Sequence, residues 1–201
     1  MWYMQRHREN FTEEQYNRRV EYGQESLANY YDKYINTFAK IISPERRINN
    51  VVYNGVPLKG MIDKIEFDGY NVNVVDYKTG TPDMKKTAAP DEKQPFGGEY
   101  WRQLAFYTIL LETAHIYPEK VGKTAISWLE PDKRGAFPVV EIAFSGAELQ
   151  AMKDTIKTVW NRIQDRDFNT GCGKDDCIWC TMHRTRVFAE GSRGEEEGLD
   201  D

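Results

Sequence analysis

Two carboxylates and one lysine stand near the ends of two consecutive strand-like segments of this 201-residue chain. Asp63 lies in "GMIDKIE", and Asp76 and Lys78 lie in "NVNVVDYKTG", where Asp76 follows Asp63 by thirteen residues. Because side chains alternate along a strand, Asp76 and Lys78 are expected on one face. Two converging carboxylates repel each other unless they are protonated or bridged by a cation. Such oxygen ligands suit Mg²⁺ or Mn²⁺, which can activate water and offset the charge of a phosphate.

The helix predicted after these strands carries polar groups that can face the two acids. Gln103 and Tyr107 are four residues apart, so they share one face of a helix. Arg102 and the lysines of the preceding loop are near enough in sequence to contact a nucleic-acid backbone. The alternative is that both acids are ordinary strand-end residues neutralised by the lysine, while Tyr107 packs in the core and Gln103 lies on the surface. The joint pattern favours the metal site.

All three cysteines of the chain stand within the nine residues "CGKDDCIWC". Cys172, Cys177 and Cys180 have the spacing C-x4-C-x2-C, and with His183 they would form a Cys₃His set for tetrahedral Zn²⁺. An odd, clustered number of cysteines does not indicate a disulfide framework. Three reduced thiols in a C-terminal loop are the interpretation ranked first, zinc ranks second, and an iron–sulfur cluster, which needs a fourth ligand, ranks third.

The spacing of apolar residues and the positions of turn residues predict the helices and strands that carry the candidate site residues. Capping boxes at Thr12–Gln15 and Ser145–Glu148 predict the starts of two helices. The predicted order is a helix at 12–41, strands at 47–53, 56–67 and 70–77, a loop at 80–98, a helix at 99–115, strands at 123–130 and 136–144, and a helix at 145–164. This order predicts an α/β (α+β) fold with a mixed central sheet of about five strands flanked by helices.

Composition narrows the functional classes. The formal net charge is −5, and the tail at 191–201, predicted to be disordered, contributes −4 of it. The nearly neutral body is not that of a strongly basic nucleic-acid binder, although a local basic groove is compatible with it. No apolar run approaches the ~20 residues of a membrane span, and the start has no signal-peptide core. These two observations predict a cytoplasmic location. The sequence also has no phosphate-binding loop of the ATPase type, so it does not indicate ATP hydrolysis.

Three of these segments carry a family resemblance. "GMIDKIE", "VVDYKTG" and "QLAFY" resemble the successive motifs of the PD-(D/E)XK nuclease superfamily in its RecB-like branch. "GEYWRQLAFYTILLE" together with "GCGKDDCIWC" resembles the C-terminal nuclease domain of UvrD/Rep-type superfamily 1 helicases of the kind found in Bacteroidetes. The resemblance covers residues 20–183 and implies a restriction-endonuclease-like core.

The resemblance also implies roles for individual residues. Asp63, Asp76 and the backbone carbonyl of Tyr77 would be metal ligands, and Lys78 would be the catalytic lysine. Gln103 and Tyr107 would be the pair that contacts DNA beside the site. The implied activity is that of a Mg²⁺- or Mn²⁺-dependent DNA nuclease attached to an ATP-dependent helicase motor in DNA repair or recombination.

The chain departs from the family pattern in one respect. RecB-like nucleases usually carry an upstream helix with a His that completes the metal site. His7 is the only upstream His, and it does not stand in the expected small-residue context. We therefore predict one nuclease-like domain at 1–190, excised from a longer helicase, in which Glu45 is a candidate substitute ligand. The alternatives are a weak or inactive nuclease-fold module that binds or docks DNA, and a zinc-containing interaction domain.

Overall fold

The computed structural model describes residues 5–167, 171–173 and 177–185. Residues 183–185 are described by their backbone alone. Contacts divide the chain into two compact units, Met1–Thr155 and Ile156–Asp201. The predicted tail at 191–201 lies outside the described residues, and the single domain at 1–190 stays a prediction. No helix in the described part combines the length and the apolar character that a membrane crossing requires.

A five-stranded sheet forms the centre of the first unit. Its strands lie side by side in chain order, and their bounds are Lys40–Tyr53 (β1), Val56–Phe67 (β2), Val72–Lys78 (β3), Val121–Trp128 (β4) and Val139–Ile142 (β5). β3 and β4 run parallel, and the other neighbouring strands run antiparallel. The predicted mixed sheet flanked by helices is confirmed.

Four α-helices lie wholly within the described residues. Their bounds are Glu13–Tyr34 (α1), Glu99–Ala114 (α2), Gly146–Gln164 (α3) and Ile178–Thr185 (α4). Both predicted capping boxes form. Thr12 and Gln15 exchange side-chain and backbone hydrogen bonds, and so do Ser145 and Glu148.

Helix α2 is the crossover between the parallel strands β3 and β4, which a short turn cannot join. Seven of its sixteen residues are buried: Trp101, Leu104, Ala105, Thr108, Ile109, Leu110 and Leu111. This broad apolar surface packs against the sheet and fixes the rotation of the helix. The polar residues between the buried ones are therefore held in fixed directions.

Helices α1 and α2 cover opposite faces of the sheet. The hydroxyl of Tyr30 in α1 lies 2.7 Å from Ser127 Oγ on β4, and its ring meets Tyr77 edge-on with centroids 6.0 Å apart. Tyr77 alternates along β3 with Asp76 and Lys78, so those two side chains point to the α2 side. Burial raises the pKa of Tyr30 to about 12, which keeps this hydroxyl protonated.

The prediction that the first helix extends to residue 41 is wrong. Helix α1 stops at Tyr34, and β1 begins at Lys40, which pairs with Phe67 at the end of β2. Pro44 lies inside β1, where it is tolerated because β1 is an edge strand. Backbone pairing with the full length of β2 therefore overrides the helical pattern of residues 35–41.

The large apolar and aromatic side chains of α1 and of the residue that follows it are only partly buried. Tyr30 is buried, whereas Leu27, Tyr31 and Ile35 are exposed. The contacts of α1 with β3, β4 and the β4–β5 connection are made by its tyrosines, so the leucine and isoleucine are left outside.

Candidate active site

The turn between β2 and β3 sets which residues of the two strands lie side by side. Asp68 Oδ1 accepts hydrogen bonds from the backbone N–H groups of Tyr70 and Asn71 at 2.9 and 2.8 Å. The Asn71 N–H, the Asn73 side-chain amide, which donates to Asp68 Oδ2, and the Tyr70 N–H together lower the pKa of Asp68 to about 2. In the resulting antiparallel register Lys64 pairs with Val75, so the next position along places Asp63 beside Asp76.

Asp76 is the buried centre of the site, with 2% of its surface exposed. Its Oδ2 lies 2.7 Å from Lys78 Nζ, and its Oδ1 accepts a hydrogen bond from Gln103 Nε2 at 3.1 Å. Burial raises the pKa of this carboxyl, Lys78 opposes that shift, and Asp63 adds to it. The shared face of Asp76 and Lys78 is as the strand period predicts.

The Gln103 side chain connects three of the site residues. Its Oε1 accepts from Lys78 Nζ at 2.8 Å, and its Nε2 donates to Asp76 Oδ1 and to the Tyr107 hydroxyl at 2.9 Å. An ammonium can only donate, so the contact with Lys78 fixes which end of the amide is the oxygen. Burial raises the pKa of Tyr107, and the nearby acids raise it further. Its hydroxyl therefore stays neutral and available for hydrogen bonding.

Asp63 is held by the backbone of the neighbouring strand. Its Oδ2 accepts a hydrogen bond from the Tyr77 N–H at 2.9 Å. The strand that carries Asp76 and Lys78 thus orients Asp63 as well. Asp63 also raises the pKa values of Asp76 and Tyr107, as expected for a carboxylate close to both.

The donor set fits a hard divalent cation. Asp76 Oδ2 is buried and has no hydrogen-bond donor of good geometry among the described residues. Its contact with Lys78 is an ion pair by distance, so a positive charge already lies against it. Asp63 and Asp76 offer carboxylate oxygens of the type that Mg²⁺ and Mn²⁺ prefer.

Three further candidate residues from the sequence differ in their distance from the site. The guanidinium of Arg102 donates to the carbonyl of Gly97, so it holds the start of α2. His7 precedes a 3₁₀ turn at the beginning of the chain. Glu45 is an exposed residue of β1 with a φ of 44°, and the register of its neighbours places it across from Asp63.

Two residues near the site escape sequence reasoning. The Tyr100 ring centroid lies 4.9 Å from Lys78 Nζ, and Glu130 Oε1 accepts a hydrogen bond from the Gly80 N–H at 2.6 Å. Tyr100 stands three residues before Gln103, so a second polar-tipped residue on this face of α2 was the available signal. Glu130 follows β4 and has no comparable signal.

The cysteines of the second unit come together locally. The sulfur atoms of Cys172, Cys177 and Cys180 all lie within 4.8 Å of one another, and those of Cys172 and Cys180 are 3.5 Å apart. Hydrogen bonds, first from the Cys180 backbone, lower the pKa of Cys177 to about 7. The side chain of His183 lies outside the described residues.

The fold has solved relatives. A crystal structure named "Putative exonuclease" from Eubacterium rectale aligns with 99% of this chain and 70% of its own, with 15% identity and a TM-score of 0.53. A structure named SSO0001 aligns with 67% of this chain and 55% of its own, also with 15% identity, but its TM-score of 0.35 supports no argument. No curated protein sequence matches the chain significantly. The family model described as the PD-(D/E)XK nuclease superfamily matches residues 3–185, and the chain belongs to that superfamily.

Proposed function

We propose that this chain is a RecB-like, Mg²⁺- or Mn²⁺-dependent deoxyribonuclease domain. The observation that carries the proposal is the Gln103 amide, which hydrogen-bonds Asp76, Lys78 and Tyr107. A site that had lost its chemistry would have no need to keep this complete set next to Asp63. The name of the Eubacterium rectale relative agrees with nuclease chemistry.

Each residue has a proposed task. Asp63, Asp76 and the Tyr77 carbonyl would hold the cation, which when bound would lower the pKa of water and offset phosphate charge. The Lys78 ammonium would lie against the reacting phosphate and stabilise the charge that develops there. Gln103 orients Asp76 and Lys78 relative to each other, and the Tyr107 hydroxyl and Arg102 would contact the DNA backbone.

The cellular context is part of the same proposal. The motifs and the cysteine segment resemble nuclease domains attached to superfamily 1 helicases. We therefore infer a helicase motor in the same parent chain and a role in DNA repair or recombination. Copurification of the nuclease with an ATP-dependent unwinding activity from the native source would support this context, and a native chain without helicase activity would contradict it.

Degradation of single-stranded DNA with Mn²⁺ or Mg²⁺ tests the nuclease directly. We expect Asp76→Ala and Lys78→Ala to lower the rate by about 1000-fold, because each removes charge from the reacting centre. Asp132→Ala is the matched control, since Asp132 is a half-buried residue of the loop after β4 and its side chain accepts hydrogen bonds from the backbone of its own turn. Equal cleavage by wild type and the two site variants would contradict the site. DNA binding without cleavage by the wild type would contradict the catalytic role.

We also propose that the three cysteines hold Zn²⁺. Thiolates around one tetrahedral zinc lie about 3.8 Å apart, because each Zn–S bond is about 2.3 Å long. The sulfur spacings of the cluster are compatible with this distance. A thiol with a pKa of about 7 is also readily deprotonated, as a ligand must be.

Elemental analysis of the purified protein tests the zinc proposal. We expect one equivalent of zinc in the wild type and its loss when Cys172, Cys177 and Cys180 are all replaced by serine. Iron in place of zinc, or no metal after purification without chelators, would contradict it.

A further inference from the structure

We propose that Tyr100 is a positioning residue that holds the Lys78 ammonium in its reactive place, an inference that rests on the proposed nuclease function. The Lys78 Nζ lies 4.9 Å from the centre of the Tyr100 ring. An ammonium at this distance is attracted to the negative face of an aromatic ring. No motif of the sequence assigns this residue a role.

Lys78 needs such a contact because its side chain is long and flexible. Asp76 Oδ2 at 2.7 Å and Gln103 Oε1 at 2.8 Å hold two sides of the ammonium. Tyr100 provides a third side, and 20% of the lysine side chain stays exposed. The ammonium is therefore confined by three groups while one part of its surface remains open to a phosphate.

Tyr100 is itself firmly placed. It lies in the first turn of α2, and its ring packs edge-on against Trp128 with centroids 6.2 Å apart. Trp128 is 1% exposed and is the direct partner of Lys78 in the parallel pairing of β3 and β4. The ring and the lysine thus share one rigid support, which is what a positioning contact requires.

A second ammonium lies against the same ring. Lys86 Nζ, from the 80–98 loop, is 5.1 Å from the Tyr100 centroid and 3.4 Å from Glu99 Oε2. The Lys86 side chain is 40% exposed, so it can reach a neighbouring phosphate of the bound strand. Tyr100 therefore contacts both the proposed catalytic cation and a proposed binding cation, and the two contributions separate kinetically.

The two roles predict different kinetic effects. A weaker contact between Tyr100 and Lys78 reduces stabilisation of the transition state, so kcat falls while KM changes little. Replacing Lys86 by Met removes one phosphate contact, so KM rises, kcat stays unchanged and the dependence of affinity on salt becomes shallower. A Tyr100 that merely packs on Trp128 would change neither quantity as long as an aromatic ring of the same shape remains.

The decisive variants therefore keep the ring shape and change its charge distribution. Phenylalanine, 4-fluorophenylalanine and 3,4,5-trifluorophenylalanine placed at position 100 form a series in which the negative face is progressively lost. We expect Tyr100→Phe to keep wild-type kcat, and the trifluoro ring and Tyr100→Leu to lower kcat by roughly 3- to 10-fold. Tyr70→Leu is the control, because Tyr70 is 86% exposed in the β2–β3 turn. An equal kcat across the fluorinated series would overturn the proposal.

A readout that does not require activity separates this inference from the proposed function. The Tyr100 ring shields the Lys78 ε-methylene protons, so their NMR resonances should lie upfield in the wild type and in Tyr100→Phe and return to ordinary positions in Tyr100→Leu. The Lys78→Met variant assigns the resonances. Unshifted Lys78 resonances in the wild type would overturn the contact. Shifted resonances in a protein that cuts no DNA would contradict the nuclease proposal and leave the contact established.

Discussion

Asp76 and the cysteine cluster are both proposed to hold a metal, but they are built in opposite ways. Asp76 is buried, and its contacts come from β3 and from α2, which are far apart in the chain. The cluster spans nine residues, and Cys172 is exposed. The first site therefore depends on the tertiary fold, whereas the second is made by residues close together in the sequence, with Cys180 in the first turn of α4.

This difference has a physical consequence for the chemistry of each site. Burial strengthens electrostatic interactions and raises the pKa of Asp76, so that carboxylate needs a cation beside it. In the cysteine cluster, backbone and thiol hydrogen bonds lower the pKa of Cys177 instead. Substitutions in the first site should therefore act through the loss of the fixed arrangement, and those in the second through the reactivity of single thiols.

Beyond the loss of Asp76 or Lys78 themselves, the largest effect is expected for Gln103→Ala. Its loss removes three hydrogen bonds from the buried site and leaves the Lys78 ammonium and Asp76 without their common partner. We expect kcat for DNA cleavage to fall about 100-fold, by analogy with the loss of one preorganised donor. Gln150→Ala is the matched control, because Gln150 is a helical glutamine that bonds only Asp154 on an exposed surface. Similar rates for both variants would show that the site does not depend on the tertiary arrangement.

A smaller effect is expected at Cys177. In metal-free protein, alkylation of Cys177 by iodoacetamide should reach half of its maximal rate near pH 7, where a thiol of pKa about 7 is half ionised. At pH 7 it should react roughly 10-fold faster than an ordinary thiol, since the higher thiolate fraction outweighs the lower nucleophilicity. Mass spectrometry identifies the modified residue, and Cys177→Ser is the control. A midpoint near pH 9 would contradict the local hydrogen bonding, and Zn²⁺ should slow the reaction.

The smallest effect is expected at Asp68. Its pKa of about 2 lies below the ordinary value of 3.8, so its contribution to folding stability is present above about pH 4 and is lost as the pH falls toward 2. The difference in Tm between wild type and Asp68→Ala should therefore be largest near pH 5 and shrink at pH 2.5.

Asp132→Ala is the control variant for Asp68→Ala. Backbone hydrogen bonds also lower the pKa of Asp132, so both variants should show the same trend of stability with pH. The Asp68 turn fixes the register of the strands that carry Asp63 and Asp76, whereas the Asp132 turn follows β4. DNA cleavage should therefore fall a few-fold only in Asp68→Ala. Equal cleavage by the two variants would indicate that the register is fixed without this turn.

The elements around the site were predictable because their local signals agree with the tertiary fold. The bounds of β2 match the prediction of 56–67, since the turns "YNG" and "FDG" delimit that strand. Strand period placed Asp76 and Lys78 together, and helical spacing placed Gln103 next to Tyr107. In these segments local preference and long-range packing select the same structure.

The structural features that were not predicted from the sequence depend on contacts between residues far apart in the chain. Residues 40–46 join β1 because β2 offers backbone partners along its whole length. Tyr100 reaches Lys78 because α2 packs on the sheet, and it reaches Lys86 because the 80–98 loop folds back onto the start of α2. Arg102 is turned to the Gly97 carbonyl by the same loop, and no spacing rule indicates this.

The position of α2 between β3 and β4 has a consequence for the order in which the protein folds. β2 and β3 are joined by a short turn, so the Asp63–Asp76 pair can form early with little loss of chain entropy. Gln103 reaches Asp76 only after the long 80–98 loop has closed and α2 has packed on the sheet, which costs more chain entropy than closing the short turn. A nascent hairpin would thus hold two repelling carboxylates before their hydrogen-bonding partners arrive. Divalent cations in the refolding buffer should therefore speed the early phase of folding, in addition to any later role in cleavage.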